Sequence, residues 1–121
     1  GNDRLIGGQG WDWLTGDAGA DIFEYRAIGD STPNANRDRI TDFELDIDRI
    51  DLSAIDANPF IRGNQAFSFI GTAAFSAVGQ VRFQYSGGDT LISINTDRDA
   101  AAEMQIMLTG NKFLIRDDFI L

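Results

Sequence analysis

Residues 7–24 decide the fold of this chain, because they hold two successive blocks of nine residues, GGQGWDWLT at 7–15 and GDAGADIFE at 16–24. The blocks fit the frame Gly-Gly-x-Gly-x-Asp-x-U-x, in which U is a large apolar residue. The tail of a third block, GNDRLI, occupies residues 1–6. Asp3, Asp12 and Asp21 are therefore nine residues apart. This period predicts a stack of repeated turns.

Glycine and aspartate have separate tasks in this frame. The glycines permit backbone angles closed to other residues, so the chain turns sharply and points its carbonyl oxygens inward. The aspartate adds a charged oxygen, and the x-U-x that follows is a minimal strand. Its apolar side chain (Leu5, Leu14 or Phe23) is expected to face the interior of a coil. One coil of turn, strand, turn and strand takes two blocks, or 18 residues.

Stacked turns of this kind predict sites for a hard cation. With an 18-residue coil, Asp3 lies against Asp21 on one side, and Asp12 lies against Asp30 on the other. Two carboxylates and several carbonyls supply about six oxygens, an arrangement that suits Ca²⁺ better than Mg²⁺. The alternative is a turn-rich segment without metal. The predicted metal-binding residues are Asp3, Asp12, Asp21, Asp30, Asp38, Gly1, Gly8, Gly10, Gly16 and Gly19.

The segment after the repeat contains two similar stretches, DRITDF at 38–43 and DRIDLS at 48–53. Both are expected to form further strands of the same coil. Asp38 is then placed to complete the ion site between Asp12 and Asp30. The alternative for Asp38 and Asp48 is an ion pair with a neighbouring arginine. For Asp42 and Asp48 we favour a role other than metal binding.

Beyond residue 60 the apolar pattern changes to a period of two, which is typical of strands. Alternating stretches at 66–70 and 81–85 are followed by 91–94, and the Gly-Gly-Asp at 87–89 predicts a hairpin. Residues 104–108 and 113–121 are expected to add two more strands. The fold class predicted is all-β in one carboxy-terminal domain. It consists of a short parallel β-roll with its closing strands over 1–58 and an antiparallel β-sandwich over 59–121.

Two further features have competing interpretations. The stretch from Asn95 to Asp99, with Glu103, resembles the start of an EF-hand loop but lacks its glycine and its final acid, so a hairpin loop is favoured. Trp11 and Trp13 flank Asp12 and point away from the coil. They form either a sugar-stacking platform or, as we favour, a surface that packs on the sandwich or on a domain upstream.

The composition excludes several classes of function. The chain has 121 residues, enough for one domain, with a net charge of −9 and neither Cys nor His. It therefore lacks cysteine metal sites, the Ser-His-Asp arrangement and the usual neutral-pH acid–base. The acidic balance disfavours nucleic acid and anionic membranes. No segment is apolar enough for membrane insertion. The 16 Asp against 3 Glu indicate short carboxylates used in turns or as oxygen ligands.

These motifs resemble a known family. The nonapeptides are similar to those of RTX (hemolysin-type calcium-binding) proteins. Residues 30–53, with Phe69-Ile70-Gly71 and Gly79 to Phe83, resemble the carboxy-terminal domain of serralysin-type secreted metalloproteases. The resemblance implies a calcium-loaded β-roll with a β-sandwich, secretion from bacteria to the extracellular space, and a catalytic domain upstream. It also implies that the type I secretion machinery reads the end of the chain, DDFIL at 117–121.

The sequence therefore predicts a non-catalytic module that folds on extracellular Ca²⁺ and carries a secretion signal for an upstream domain. Because the first block begins mid-repeat, we expect the chain to be cut from a longer array. The same module follows several kinds of catalytic domain, alginate epimerases among them. The rival prediction is a carbohydrate- or surface-binding sandwich in which calcium is only structural. Nothing in the sequence pairs a buried acid with an exposed one, so a glycosidase is disfavoured.

Overall fold

The computed structural model describes residues 1–33 and 36–121, and within them the chain is built of short strands and two 3₁₀ turns, without an α-helix. The 3₁₀ turns cover Ile28–Asp30 and Arg116–Asp118. The strands are β1 (Arg4–Leu5), β2 (Trp13–Leu14), β3 (Ile22–Glu24), β4 (Asp38–Ile40), β5 (Arg49–Asp51), β6 (Ser68–Phe69), β7 (Gln80–Ser86), β8 (Asp89–Asn95), β9 (Met104–Leu108) and β10 (Phe119–Ile120). The predicted all-β class is confirmed.

One sheet is entirely parallel and has the strand order β1-β3-β5-β10. Arg4 pairs with Ile22, which is the predicted offset of 18 residues, and Ile22 pairs with Arg49 at an offset of 27. The two stretches that begin Asp-Arg-Ile do form β4 and β5, as expected for further strands of the coil. The last strand of the chain closes this sheet, since Phe119 pairs with Ile50.

The second sheet has the order β2-β4-β9-β8-β7-β6 and mixes both directions. Its β2, β4 and β9 run parallel, whereas β7, β8 and β9 are antiparallel neighbours. The predicted hairpin is confirmed, because β7 and β8 pair from Gln80↔Asn95 to Ser86↔Asp89 around Gly87 and Gly88. Strand β4 joins the repeat to this hairpin through β9, with Asp38 opposite Ile106.

Two sequence-based expectations about this region were wrong. Strand β6 pairs with β7 in the parallel direction, so the region is not purely antiparallel. The stretch 113–121 is not one strand, because the 3₁₀ turn interrupts it and β10 joins the parallel sheet of the repeat. Both sheets thus contain strands from either side of residue 58, and residues from both parts pack into one core cluster.

The core is formed by the alternate apolar residues that the short strands turn inward. Phe23, Ile40 and Ile50 from the coil are fully buried, as are Ile92 and Leu108 from the hairpin and β9. Leu5 and Leu14, the interior residues of the first two blocks, are partly buried against the same cluster. The apolar position of each repeat therefore fixes the coil on the core and leaves the glycine turns at its two sides.

Candidate metal centre

The glycine turns have the backbone conformation that the repeat predicts. Gly8, Gly10 and Gly19 have φ of 74°, 99° and 112°, values that L side chains rarely adopt. Asp17 has φ of 63° at the position where the first block has Gly8, four residues before the repeat aspartate. Asparagine and aspartate tolerate this left-handed region better than other side chains do. The turn therefore keeps its shape where the glycine is missing.

On one side of the coil, Asp21 connects three turns. The Asp21 side chain is fully buried, and its Oδ1 accepts a hydrogen bond of 2.9 Å from the backbone N–H of Asp3. The backbone N–H of Asp21 in turn donates to Oδ1 of Asp48 at 2.9 Å. Oδ2 of Asp21 is buried and has no hydrogen-bond partner among the described residues. It lies directly over Gly16, where a Cβ would collide with it.

On the other side of the coil, Asp12 and Asp38 form the equivalent pair. The backbone N–H of Asp12 donates to Oδ1 of Asp38 at 3.0 Å. The Oδ2 atoms of both residues are buried, and neither has a hydrogen-bond partner within 1–33 and 36–121. Oδ2 of Asp12 lies over Gly7, since a Cβ there would approach it to 2.8 Å. The Tyr25 hydroxyl is likewise buried and lies near the Asp38 carboxylate, but it makes no hydrogen bond of normal geometry in the described part of the chain.

The Asp12–Asp38 side concentrates negative charge. Burial raises the pKa of Asp38 to about 6, and the nearby charges of Asp12 and Asp30 add to this effect. Burial also raises the pKa of the Tyr25 hydroxyl well above its usual value, with Asp38, Asp12 and Asp30 acting in the same direction. An unpaired buried carboxylate is unfavourable unless a cation or a proton neutralises it. The buried carboxylates on this side of the coil therefore lack a neutralising positive charge among the described residues.

The structure changes the expected partner of Asp12. Strand β2 pairs with β4 at an offset of 26 residues, so Asp38 takes the place opposite Asp12 that the 18-residue coil assigned to Asp30. The backbone N–H of Asp38 donates to Ser31 Oγ at 2.8 Å, which ties that strand to the preceding turn. The Asp30 carboxylate accepts the backbone N–H groups of Arg26 and Ala27, both at 3.1 Å. The charge of Asp30 still raises the pKa of Asp38.

The sequence reasoning missed a divergent turn at 42–48. Asp46, two residues before Asp48, has φ of 66° and takes the place that Gly10 and Gly19 have before their own aspartates. Asp42 and Asp48 are not ion-paired with arginine in the described structure, because their carboxylates accept backbone N–H groups of the turn at 16–21 and of Glu44. The spacing of 27 between Asp21 and Asp48 is the signal that could have revealed this turn.

These features meet the requirements of a hard cation. A buried carboxylate oxygen without a hydrogen bond is available as a ligand. The Gly1 carbonyl lies against Gly19, so close that a Cβ on Gly19 would collide with it. The orphaned oxygens of Asp12, Asp21 and Asp38 are of the kind that Ca²⁺ binds. Gly1, Gly8, Gly10, Gly16 and Gly19 all lie in these turns.

A separate acidic group lies in the loop between β8 and β9. Within the described ranges, Asp97, Asp99 and Glu103 are the one set of three acidic side chains whose oxygens all lie within 4.8 Å of one another. Oδ1 of Asp97 accepts a hydrogen bond from the backbone N–H of Asp99 at 3.0 Å, and Oε1 of Glu103 accepts one from the N–H of Thr96 at 2.7 Å. Burial raises the pKa of Glu103, as do the charges of Asp97 and Asp99. These contacts agree with the favoured hairpin-loop interpretation.

The two tryptophans are largely exposed in the described structure. Trp11 and Trp13 are 60% and 62% exposed, and their rings form an edge-to-face pair with centroids 6.0 Å apart. More than half of each side chain is therefore left uncovered by the described residues. In the same described residues, no helix has the length and apolar character needed to cross a membrane.

The solved structures that are similar to this chain include two subunits of one enzyme. The AlgE6R2 subunit of the mannuronan C5-epimerase from Azotobacter vinelandii is 27% identical with a TM-score of 0.64, and the match covers 100% of this chain and 71% of that one. The AlgE6R3 subunit of the same enzyme is 27% identical with a TM-score of 0.66, and the match covers 98% of this chain and 62% of that one. Both are parts of a larger enzyme.

Among curated protein sequences, none matches this chain. The family described as Peptidase M10 serralysin C terminal matches residues 2–121, which is essentially the whole chain. The sequence resemblance and the family match agree, and they agree with the parallel coil of glycine turns. The chain belongs to the serralysin carboxy-terminal family.

Proposed function

We propose that this chain is a calcium-binding module whose glycine turns close around Ca²⁺. The observation that carries the proposal is the set of buried carboxylate oxygens without hydrogen-bond partners in the described structure, Asp12 Oδ2, Asp21 Oδ2 and Asp38 Oδ2. An orphaned buried carboxylate destabilises a fold by about 1–3 kcal/mol. A cation between the turns converts that penalty into a favourable interaction.

The ligands of these ions come from both sides of the coil. Asp3 and Asp21 hold one ion with carbonyls of the turns that contain Gly1, Gly16 and Gly19. Asp12 and Asp38, with Asp30 nearby, hold another with carbonyls of the turn that contains Gly8 and Gly10. The oxygen-rich set and the use of several carbonyls favour Ca²⁺ over Mg²⁺, which keeps more of its waters.

Calcium binding is coupled to folding in this proposal. The chain carries a net charge of −9, so the acidic turns repel one another until cations neutralise them. Extracellular calcium modules bind with a Kd of about 10⁻⁴–10⁻³ M, far above cytosolic calcium levels. At calcium about 100 times above Kd, one site stabilises the folded state by roughly 2.7 kcal/mol. The roll therefore stays open inside the cell and closes outside.

The rest of the proposal follows from the family. We assign the chain to the extracellular space, as a non-catalytic module that accompanies an upstream catalytic or adhesive domain. Its last residues, DDFIL at 117–121, serve as the signal for type I secretion machinery. The partners proposed are thus calcium ions, the upstream domain and that machinery.

A calcium titration followed by far-UV circular dichroism and thermal melting tests the calcium part. Calcium is raised from excess chelator to about 10 mM, the range that covers extracellular affinities, with magnesium as the control ion. We expect the melting temperature to rise with calcium and not with magnesium. Asp21→Asn and Asp12→Asn reduce the response, while Asp117→Asn, at an exposed site, leaves it intact. Equal folding in chelator and in calcium contradicts the proposal.

A second candidate function rests on the tryptophan pair. Two exposed indole rings side by side are the kind of surface on which sugar rings stack. Under this candidate, the module binds carbohydrate and calcium is only structural. A glycan array in calcium, run with the chain and with Trp11→Ala and Trp13→Ala, separates the two. Hits that disappear in both variants favour the second candidate, and an empty array favours the first.

A further inference from the structure

Asp42 holds the turn at 16–21 through two backbone groups. Its Oδ1 accepts a hydrogen bond of 2.9 Å from the N–H of Gly16, and its Oδ2 accepts one of 2.7 Å from the N–H of Asp17. Both oxygens of the Asp42 carboxylate therefore accept hydrogen bonds from the same turn. The contact spans 26 residues of sequence and joins the second repeat block to the divergent turn at 42–48.

Such a pair of donors is an anion-binding concavity. Successive N–H groups converge on one point when one residue has left-handed backbone angles, and here Asp17 has φ of 63°. Hydrogen bonds to an ionised acceptor are about twice as strong as neutral ones. A carboxylate in this position therefore favours the left-handed conformation that a side chain at residue 17 otherwise resists.

The turn at 7–12 provides a natural comparison. It has the same repeat frame and the same orphaned carboxylate over its first glycine. The N–H groups of Gly7 and Gly8, however, make no hydrogen bond with a carboxylate in the described part of the chain. The second turn thus has an internal anion from Asp42 that the first lacks, and it has Asp17 where the first has Gly8.

We propose that Asp42 is a positioning residue for calcium binding, which shapes the turn at 16–21 without contacting the ion. This inference rests on the calcium function proposed above and deepens it. The carboxylate holds the backbone N–H groups of Gly16 and Asp17, in a turn where Gly16 lies under Asp21. Ordering a loop opposes ligand binding, and a loop that is held in advance binds more tightly. Asp42 therefore raises calcium affinity on the Asp3–Asp21 side and not on the Asp12–Asp38 side.

Calorimetric calcium titrations of the whole chain test this assignment in two backgrounds. In Asp12→Asn the Asp3–Asp21 side remains, and in Asp21→Asn the Asp12–Asp38 side remains. We expect Asp42→Ala to weaken calcium binding about tenfold in the first background, the equivalent of losing one charge-assisted hydrogen bond. In the second background we expect less than about a twofold change, because the altered side is already disabled. The number of ions bound stays unchanged.

Three results overturn the proposal. Loss of one bound ion in Asp42→Ala makes Asp42 a ligand. An equal weakening in both backgrounds makes its effect one of general stability. If calcium affinity is unchanged by Asp42→Ala in the Asp12→Asn background, the contact of Asp42 with the turn does not affect binding. If Asp42→Ala does not fold, Asp42→Asn takes its place, because it retains one acceptor oxygen. We then expect calcium affinity to fall about threefold in the Asp12→Asn background only.

Amide hydrogen exchange at saturating calcium gives a second readout, which does not depend on affinity. Asp42→Asn speeds exchange at Gly16 and Asp17 and leaves Gly7 and Gly8 unchanged. Unchanged exchange at Gly16 and Asp17 overturns the proposed contact. If the parent chain shows no calcium heat, the calcium function itself fails. The exchange pattern, measured in the same buffer, still shows whether Asp42 holds the turn.

Discussion

The glycine turns at 1–48 and the sheet of β7, β8 and β9 use opposite means of stabilisation. Strands in the turn region have two or three residues, and the groups buried beside them include carboxylates without hydrogen-bond partners in the described structure. Strands β7 and β8 have seven residues each and bury apolar side chains. Under the proposed function, cations offset the buried charge of the first region, while the second is stabilised by removal of apolar surface from water.

This contrast predicts that the two regions differ in how their stability depends on calcium. Strand β9 is the member of the antiparallel sheet that pairs with β4 of the coil. The coil contributes strands to both sheets, and under the proposed function calcium controls whether its turns close. Changes in the sheet should therefore act equally with and without calcium, and changes in the turns should act through calcium.

The largest effect is expected from the sheet. Ile92 lies at the centre of β8, is fully buried, and pairs with Phe83 on one side and Ile106 on the other. Ile92→Ala should lower the free energy of unfolding by about 2–5 kcal/mol. Urea unfolding in calcium and in chelator measures it, with Gln84→Ala, an exposed site on β7, as the control. A loss that appears only in calcium contradicts the separation of the two regions.

A smaller and calcium-dependent effect is expected at Gly16. A Cβ there collides with Oδ2 of Asp21, so Gly16→Ala must move the carboxylate away from the turn. Forcing a group into such a packed position typically destabilises by about 1–3 kcal/mol. The loss should appear as a lower melting temperature in calcium and a higher calcium concentration at the folding midpoint. Gly29→Ala is the matched control, because nothing lies within 4 Å of its Cβ position.

Much of the fold follows from the sequence because the repeat and the period-two pattern report backbone conformation directly. The nonapeptide frame predicted the parallel pairing of β1 with β3, and the Gly-Gly-Asp at 87–89 predicted the hairpin. The position of β10 could not be predicted in this way. Its pairing with β5 is a contact between residues far apart in sequence, which no local pattern encodes.

The candidate site was predictable where the repeat is regular. Asp3 and Asp21 meet at the expected spacing, whereas the partner opposite Asp12 depends on the length of the irregular segment between β3 and β4. The role of Asp42 escaped prediction for another reason. Its side chain satisfies backbone donors 26 residues earlier, and an aspartate in a turn has the same local signature whether it binds metal or amide groups.

A pH dependence of calcium binding should distinguish the two sides of the coil. The pKa of Asp38 is raised to about 6, from about 3.9 in an unfolded chain, chiefly by burial. Between about pH 4 and pH 6 the calcium-free folded chain therefore binds a proton at Asp38 that the unfolded chain does not. Its free energy of unfolding falls as the pH rises through this range. Calcium needs the ionised carboxylate, so it competes with that proton.

Calorimetry in the Asp21→Asn variant, which retains the Asp12–Asp38 side, measures this competition. From about pH 7.5 to about pH 5, proton binding to Asp38 should weaken calcium binding about tenfold. Adding Asp38→Asn should lower the affinity at neutral pH and remove most of the pH dependence. Affinity that is constant between these pH values contradicts a ligand role for Asp38.

The smallest effect is expected in the divergent turn at 42–48, which differs from the regular turns by having a side chain at the left-handed position two residues before its aspartate. Asp46 has φ of 66° in the position that the regular repeats give to glycine. The left-handed conformation disfavours a side chain by about 1–2 kcal/mol, and glycine loses about 0.5–1 kcal/mol through its greater freedom in the unfolded chain. Asp46→Gly should therefore raise the unfolding free energy by about 0.5–1 kcal/mol. Asp117→Gly, in a 3₁₀ turn, should lower it. Destabilisation by Asp46→Gly would mean that its side chain, and not only its backbone, supports the turn.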